Sequence, residues 1–268
     1  MTFQLALCQM MVTDNKKLNL SKAGSMLRQA ADKGAAMAAL PEMFNCPYSN
    51  KYFREYAEEG EGQTLEFLSD IAKELGIYLI GGSIPELDDG KVYNTSYSFN
   101  REGELIGKHR KIHLFDIDIK GGIRFMESET LSPGNKSTVF DTEFCKVGTA
   151  ICYDVRFPEL FSSMTLDGVK LVILPGAFNM TTGPAHWDLT MRARAVDNQL
   201  YFAAVSPARD LAGSYHAYGH SCVVNPWGEF CGKTDSRESI VLAEIDPDYA
   251  EDIRSQLPLL KHRRPEIY

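Results

Sequence analysis

Residues 150–160 read AICYDVRFPEL. The run before them, Phe144–Ile151, is mostly apolar and reads as a buried strand. From Pro158 onward the chain reads as the opening of a helix. Cys152 thus stands where a strand turns into a helix, and the positive end of a helix dipole lowers a thiol pKa. A thiol alone is only a few per cent ionised at neutral pH, so its reactivity depends on which group takes the proton.

Outward from this stretch, β-rich runs alternate with helical patterns. Phe3–Met10 reads as a strand. Lys17–Lys33 carries Leu18, Leu20, Ala23, Met26, Leu27 and Ala30 at helical spacing and stops at Gly34. Ala36–Leu40 is a short buried strand ended by Pro41, Gln63–Leu75 a helix stopped by Gly76, and Ile77–Gly81 the next strand. Val92–Phe99 and Glu104–Arg110 read as a hairpin around NREG (100–103). Thr138–Phe140 is a strand, Pro158–Leu166 a helix, Val169–Leu174 a strand, His186–Asn198 a helix and Leu200–Val205 a strand. Tyr218–Val224 and Ile240–Ile245 close the β content. This alternation predicts an α/β layered domain in which helices cover sheets. Continuous apolar runs such as KLVIL (170–174) and YFAAV (201–205) predict strands buried on both faces, with helices outside and another sheet inside. There is no internal repeat, low-complexity tract or Gly/Ser linker.

The 268 residues suffice for one large domain or two small ones, with a sizeable core. At 44% hydrophobic and 24% charged, the composition is that of a soluble globular protein. A net charge of −8 argues against nucleic acid as the main partner. The basic KHRRP (261–265) reads as a solvated tail. No apolar run approaches the ~20 residues of a membrane span. MTFQLALCQMM, at the N-terminus, reads as a first strand and not a signal peptide. Cys8, Cys46, Cys145, Cys152, Cys222 and Cys231 show neither CxxC nor Cys/His ligand spacing. Free thiols in a reducing cytoplasm are the simplest reading, without a structural zinc site.

Two kinds of base are open to Cys152. The histidines are His109, His113, His186, His216, His220 and His262, and none lies in a pattern that marks a thiol partner. His109 and His113, in GKHRKIHLFD (107–116), read as hydrogen-bonded structural residues. The alternative is a carboxylate. ALPEMFN (39–45) places Glu42 just past a buried strand, where α/β sheets put their chemistry. Burial there raises a carboxyl pKa toward neutrality, as a general base needs, although a lone Pro-Glu is ordinarily a solvated loop acid. Lys111 also ends a strand. Spacing alone does not bring Glu42, Lys111 and Cys152 together.

LPEMF (40–44), KHRKIHLF (108–115) and ICYDVRFPEL (151–160) resemble the three signature blocks of the nitrilase superfamily of carbon–nitrogen hydrolases. FNCPYSNKYFREYAE (44–58), IPELDDGKVYNTSYSF (84–99), ESETLSPG (127–134), PGAFNMTTGPAHWDL (175–189), RARAVDNQLYFAAVSPARD (192–210) and YGHSCVVNPWGE (218–229) are similar to its omega-amidase branch. The resemblance runs from the first strand to about Asp246. Met43 and Cys46, on either side of Phe44 and Asn45, depart from those blocks without touching the three signature residues.

The resemblance implies a four-layer αββα sandwich and a single domain over 1–268. Residues 247–268 would form a C-terminal segment that packs on a partner subunit in a homodimer or higher even-numbered oligomer; the alternative is a tail lying on its own domain. It implies Glu42 as general base, Lys111 as oxyanion stabiliser and Cys152 as nucleophile. Glu127 would orient Lys111 or position substrate, or else cap a turn. The implied reaction splits the terminal amide of 2-oxoglutaramate or 2-oxosuccinamate through a Cys152 thioester, with the Tyr153 N–H helping to hold the oxyanion. The substrate's far carboxylate would meet Arg156, unless Arg156 pairs with an acid such as Glu159. Tyr48 and Thr182 lie in matched loops, and Phe178 and Asn179 follow a strand that reaches the pocket. Trp187 reads as packing. No metal or organic cofactor is implied. The rivals are a related amidase acting on deaminated glutathione or an N-carbamoyl amino acid, a Cys-His transferase, and a non-catalytic scaffold.

Overall fold

The computed structural model describes residues 1–120, 124–213 and 215–267. Its first half builds β1 (Phe3–Gln9), α1 (Lys16–Asp32), β2 (Ala35–Ala39), α2 (Asn50–Tyr56), α3 (Gln63–Leu75), β3 (Tyr78–Ile80), β4 (Ile84–Asp88), β5 (Lys91–Phe99) and β6 (Leu105–Arg110). A small ribbon of β7 (Asp116–Asp118) and β8 (Arg124–Met126) follows. The second half builds β9 (Thr138–Asp141), β10 (Lys146–Thr149), α4 (Pro158–Leu166), β11 (Leu171–Pro175), α5 (Gly183–Asn198), β12 (Tyr201–Val205), β13 (Cys222–Val224) and β14 (Phe230–Lys233). β15 (Ser239–Ile245) returns to pair with β1, and α6 (Pro247–Gln256) and α7 (Leu259–His262) end the chain's regular structure. The sheet orders are β15-β1-β2-β3-β5-β4, with β6 added on β5, and β14-β13-β12-β11-β10-β9.

The apolar runs fix how the sheets stack. On β11 and β12, Val172, Leu174, Phe202 and Ala204 turn to one side and meet Phe161 and Met164 of α4 and Trp187, Met191 and Ala195 of α5. Leu171, Ile173, Tyr201 and Ala203 turn to the other side and meet Leu5, Leu7, Met37 and Ile80 of the first sheet. The first sheet's far face, through Ala6, Cys8, Ala38 and Leu79, packs on Leu20, Ala23 and Leu27 of α1 and on Leu68, Ile71 and Ala72 of α3. The layers run helix, sheet, sheet, helix, as expected. Each fully buried Leu, Ile or Phe contributes about 1.5–3 kcal/mol of transfer free energy. Exposed ion pairs such as Arg28–Glu74 contribute at most about 1 kcal/mol each. The apolar layers therefore hold the sandwich together.

Several elements differ from the sequence-based reading. Tyr218–Val224 is a strand only from Cys222, because Gly219 (φ 73°) and His220 (φ 63°) turn left-handed just before it. The helix runs over Pro158–Leu166 as read, but a 3₁₀ turn, Cys152–Arg156, stands between it and the strand before Cys152. α2, β4, β7, β8, β14, α6 and α7 were not anticipated. α6 docks on its own chain through buried Ala250 and Ile253, and Arg254 donates to the carbonyls of Gln199 and Val169. α7 buries no residue. Tyr268 lies outside the described residues. All six cysteines are free. Among the described residues no helix is long and apolar enough to cross a membrane.

One buried carboxylate ties the two sheets at their shared end. Asp154 accepts from the Ile151 N–H (2.9 Å) at the end of β10's sheet and from the His113 N–H (2.9 Å) just past β6. His109 Nε2 on β6 lies 3.0 Å from Asp154 Oδ2, and His113 Nδ1 lies 2.8 Å from Oδ1. Burial pushes this carboxyl up, but the hydrogen bonds from His109 and His113 outweigh burial and hold it below the ordinary 3.8. A depressed carboxyl contributes stability above its unfolded pKa and loses it as pH falls through the folded value. Asp154→Asn turns an acceptor into a donor facing N–H groups, and should cost about 3–5 kcal/mol at neutral pH. The urea midpoint should fall accordingly, with the gap to the parent narrowing as pH drops below 3.8; an unchanged midpoint would contradict this role.

Candidate active site

β2 and β3 are parallel, β3 and β5 antiparallel, and β5 and β6 antiparallel, so β2 and β6 run the same way. Glu42, three residues past β2, and Lys111, one past β6, therefore leave the sheet at one edge. The turn holding Glu42 is pinned from behind. Ser83 N–H donates to the Pro41 carbonyl, and Met43 N–H donates to Ser83 Oγ. Gly82 (φ 60°) lies so close to Pro41 that a Cβ there would collide with its carbonyl oxygen.

Lys111 is fully buried and stands between two buried carboxylates, 3.0 Å from Glu42 Oε1 and 2.9 Å from Glu127 Oε1. An isolated buried charge costs several kcal/mol, so each partner must also be satisfied. Glu127 further accepts from Tyr48 Oη (2.6 Å) and the Phe115 N–H (2.6 Å). Glu42 accepts from Asn94 Nδ2 (2.8 Å) and the Ala177 N–H (2.7 Å). Lys111 is the link between the two carboxylates.

Cys152 opens the 3₁₀ turn with a left-handed φ of 46°, conformational strain that places its side chain at the head of the turn. Glu42, Lys111 and the Ala177 N–H all lie close enough to the sulfur to act on its charge. The expected lowering of the thiol pKa does not hold. Burial, with the Glu42 charge, pushes it well above its ordinary value, against the pull of Lys111. A five-residue turn supplies too little dipole to offset that. The proton rests on sulfur. Burial likewise raises the Glu42 carboxyl; Lys111 lowers it and Glu127 raises it again. Burial alone would lower the Lys111 ammonium, but Glu127 and Glu42 outweigh burial and keep it charged.

Cys152, Tyr153, Arg156, Phe178, Asn179 and Thr182 line one cleft, together with Phe115 and Ala177. Arg156 does not pair with Glu159. Its guanidinium lies 3.0 Å from His186 Nδ1 and 5.1 Å above the Phe178 ring, and among the described residues no carboxylate faces it at ion-pair distance. Asn179 Oδ1 accepts from the Thr182 N–H and hydroxyl, shaping that wall. Tyr48 is placed elsewhere: it donates to Glu127 and lines a second cavity beside Glu42. Trp187 is buried against Phe178 and donates to the His220 carbonyl, a packing role. The histidines nearest the signature lysine, His109 and His113, serve Asp154 and not the thiol.

Sequence reasoning missed Asn94, Phe115, Asp154, Ala177 and Tyr215, whose hydroxyl donates to the Ala177 carbonyl. Ala177 and Phe115 act through backbone N–H groups, which leave no residue-type signal. Asn94 sits inside an alternating strand, where a polar residue buried toward the site was the available clue.

Residues 4–255 match the model of the carbon-nitrogen hydrolase family. The chain is 56% identical over 266 residues to the omega-amidase NIT2 of Xenopus tropicalis, covering 99% of this chain and 96% of that one. It is 53% identical over 267 residues to omega-amidase NIT2 of Homo sapiens, covering 100% and 97%. The crystal structure of Saccharomyces cerevisiae Nit3, a member of branch 10 of the nitrilase superfamily, superposes with a TM-score of 0.91 at 46% identity, covering 98% of this chain and 97% of that one. By its fold, its edge-of-sheet cluster and these similarities, the chain belongs to the carbon-nitrogen hydrolase family of the nitrilase superfamily.

Proposed function

We propose that the protein is an omega-amidase, hydrolysing the terminal amide of short 2-oxo-dicarboxylic monoamides such as 2-oxoglutaramate and 2-oxosuccinamate to the acid and ammonia. The carrying observation is the buried Glu42–Lys111–Glu127 ion-pair cluster, whose charges act on the Cys152 sulfur. An amide is a poor electrophile with a poor leaving group, so two steps through a covalent intermediate lower each barrier. Glu42 takes the Cys152 proton as sulfur attacks the amide carbon. Lys111 spends two of its three N–H bonds on Glu42 and Glu127, leaving the third for the developing oxyanion. Removing one such donor costs about 10²–10³ in turnover. Protonated Glu42 then gives its proton to the leaving nitrogen. A water, deprotonated by Glu42, attacks the thioester and releases the acid.

The substrate class follows from the cleft. Arg156 is a cation without a carboxylate partner among the described residues, held on Phe178 and His186 in the cleft that Cys152 lines. It receives the far carboxylate, while Phe178, Asn179, Thr182 and the Tyr153 backbone shape the path between. Glu127 orients Lys111, and Tyr48 holds Glu127. The chain acts as one domain in the cytoplasm, where its free thiols stay reduced. It assembles as a homo-oligomer, with the exposed apolar residues Leu189 and Val196 of α5 and Trp227, and the end of the tail, as the surface offered to a second copy.

Ammonia release measured side by side should be fastest on 2-oxoglutaramate and 2-oxosuccinamate; preference for deaminated glutathione or an N-carbamoyl amino acid would move the protein to another amidase branch. Cys152→Ala should lose turnover on all of them with an unchanged unfolding midpoint, and near-normal release by that variant would remove sulfur from the mechanism. Glu42 must be ionised to take the thiol proton, and burial raises its pKa above the ordinary 4.5. The acid limb of kcat/KM should therefore fall with decreasing pH at a midpoint above 4.5. A limb at or below that value would contradict the base assignment.

A further inference from the structure

Asn179 builds the turn that opens α5. Its Oδ1 accepts from the Thr181 and Thr182 N–H groups, and its carbonyl accepts from the Gly183 N–H. The Thr182 carbonyl accepts in turn from the His186 N–H, which sets His186 in the first turn of the helix. Gly183 lies so close to Tyr218 that a Cβ there would collide with its side chain, so this end of the helix is held in place. His186 Nδ1 then stands 3.0 Å from the Arg156 guanidinium. A guanidinium only donates. Arg156 therefore donates to an Nδ1 that carries no hydrogen, and the imidazole is neutral with its proton on Nε2.

The nature of that partner decides what charge Arg156 shows to the cleft. A carboxylate would hold the guanidinium firmly, often through two parallel bonds, and would also cancel its charge. Among the described residues no carboxylate takes that place. Arg156 has instead a neutral nitrogen at one edge and the Phe178 ring 5.1 Å away. Both contacts fix the group and neither neutralises it. Burial works against the Arg156 charge, which favours the arrival of an anion. Arg156 lines the cleft beside Cys152 and His186 does not, so the acceptor holds the guanidinium from outside the cleft. A long side chain fixed in advance loses less rotamer freedom when a ligand binds it.

We propose that His186 is a positioning residue for substrate selection: its neutral Nδ1 orients Arg156 with the charge uncancelled, and so favours amides whose far end is a carboxylate. The inference rests on the reading above in which Arg156 receives that carboxylate.

The test compares ammonia release from 2-oxoglutaramate and from 4-oxopentanamide, the same chain with a methyl group in place of the carboxylate. The parent should prefer 2-oxoglutaramate. His186→Leu removes the acceptor. It should raise KM for 2-oxoglutaramate about tenfold or more, keep kcat within about twofold, and leave 4-oxopentanamide unaffected. His186→Asn puts a neutral oxygen near the place of Nδ1 and should restore KM to within about threefold of the parent. His186→Asp has the shape of Asn but cancels the Arg156 charge, and should stay as poor as His186→Leu. An acid in the first turn of a helix is favourable, so this variant keeps its fold. Unchanged kinetics in His186→Leu, equal losses on both amides, or a fall in kcat in place of the KM rise would each overturn the proposal. So would a loss that Asn does not repair, or one that Asp repairs as well as Asn. Arg156→Gln separates this inference from the reading beneath it. A preference lost in Arg156→Gln but kept in His186→Leu removes the role of His186 alone. A preference kept in Arg156→Gln removes the carboxylate reading of Arg156 as well.

Discussion

A lysine ammonium buried between two buried glutamates is the constraint on which the site depends. Neither Glu42 nor Glu127 is stable there without Lys111, and Lys111 is not stable there without both. The cost of burying these charges is met by fixed donors: the amide of Asn94, the hydroxyl of Tyr48 and the backbone N–H groups of Phe115 and Ala177. Those donors come from β5 of the first sheet, from the loops after β2 and β6, and from the loop after β11 of the second sheet. The cluster therefore forms only when the sandwich is closed, and closure brings acid and ammonium to hydrogen-bonding distance, with the sulfur under the influence of both charges.

The electrostatics of that cluster separate reactivity from resting ionisation. Sulfur keeps its proton because burial and the Glu42 charge disfavour thiolate. Glu42 is a stronger base than an exposed glutamate because burial raises it as well. In the proposed reaction the proton passes from sulfur to Glu42 when a carbonyl arrives to take the negative charge beside Lys111. Desolvation, which works against a free thiolate, then favours the transferred state.

Much of this was legible in the chain. Strands ending in Pro-Glu, Arg-Lys and Ile-Cys offered Glu42, Lys111 and Cys152 as candidates, the three signature blocks singled them out together, and the unbroken apolar runs of β11 and β12 gave the layered core. What escaped has physical reasons. β4 carries Pro85 and Glu86, which hide strand periodicity. Proline is tolerated because β4 lies at the sheet edge, and Glu86 is buried because Arg110, Lys108 and Thr95 bind it. α2 buries only Phe53, too little to show a helical stripe. α6 did carry its signal in Asp246-Pro247, an N-cap followed by proline at the first helical position. The joining role of Asp154 was invisible because its partners, His109, His113 and the Ile151 N–H, are brought to it only by the fold.

The central claim is that Cys152 becomes covalently acylated by the amide it cleaves. It is tested most directly by mixing the protein with 2-oxoglutaramate, quenching in acid within a turnover, and mapping the digested peptides by mass. The account predicts the acyl mass on the peptide containing Cys152 and on none bearing Cys8, Cys46, Cys145, Cys222 or Cys231. Ammonia release with Cys152 unmodified throughout, or the mass on another cysteine, would contradict it.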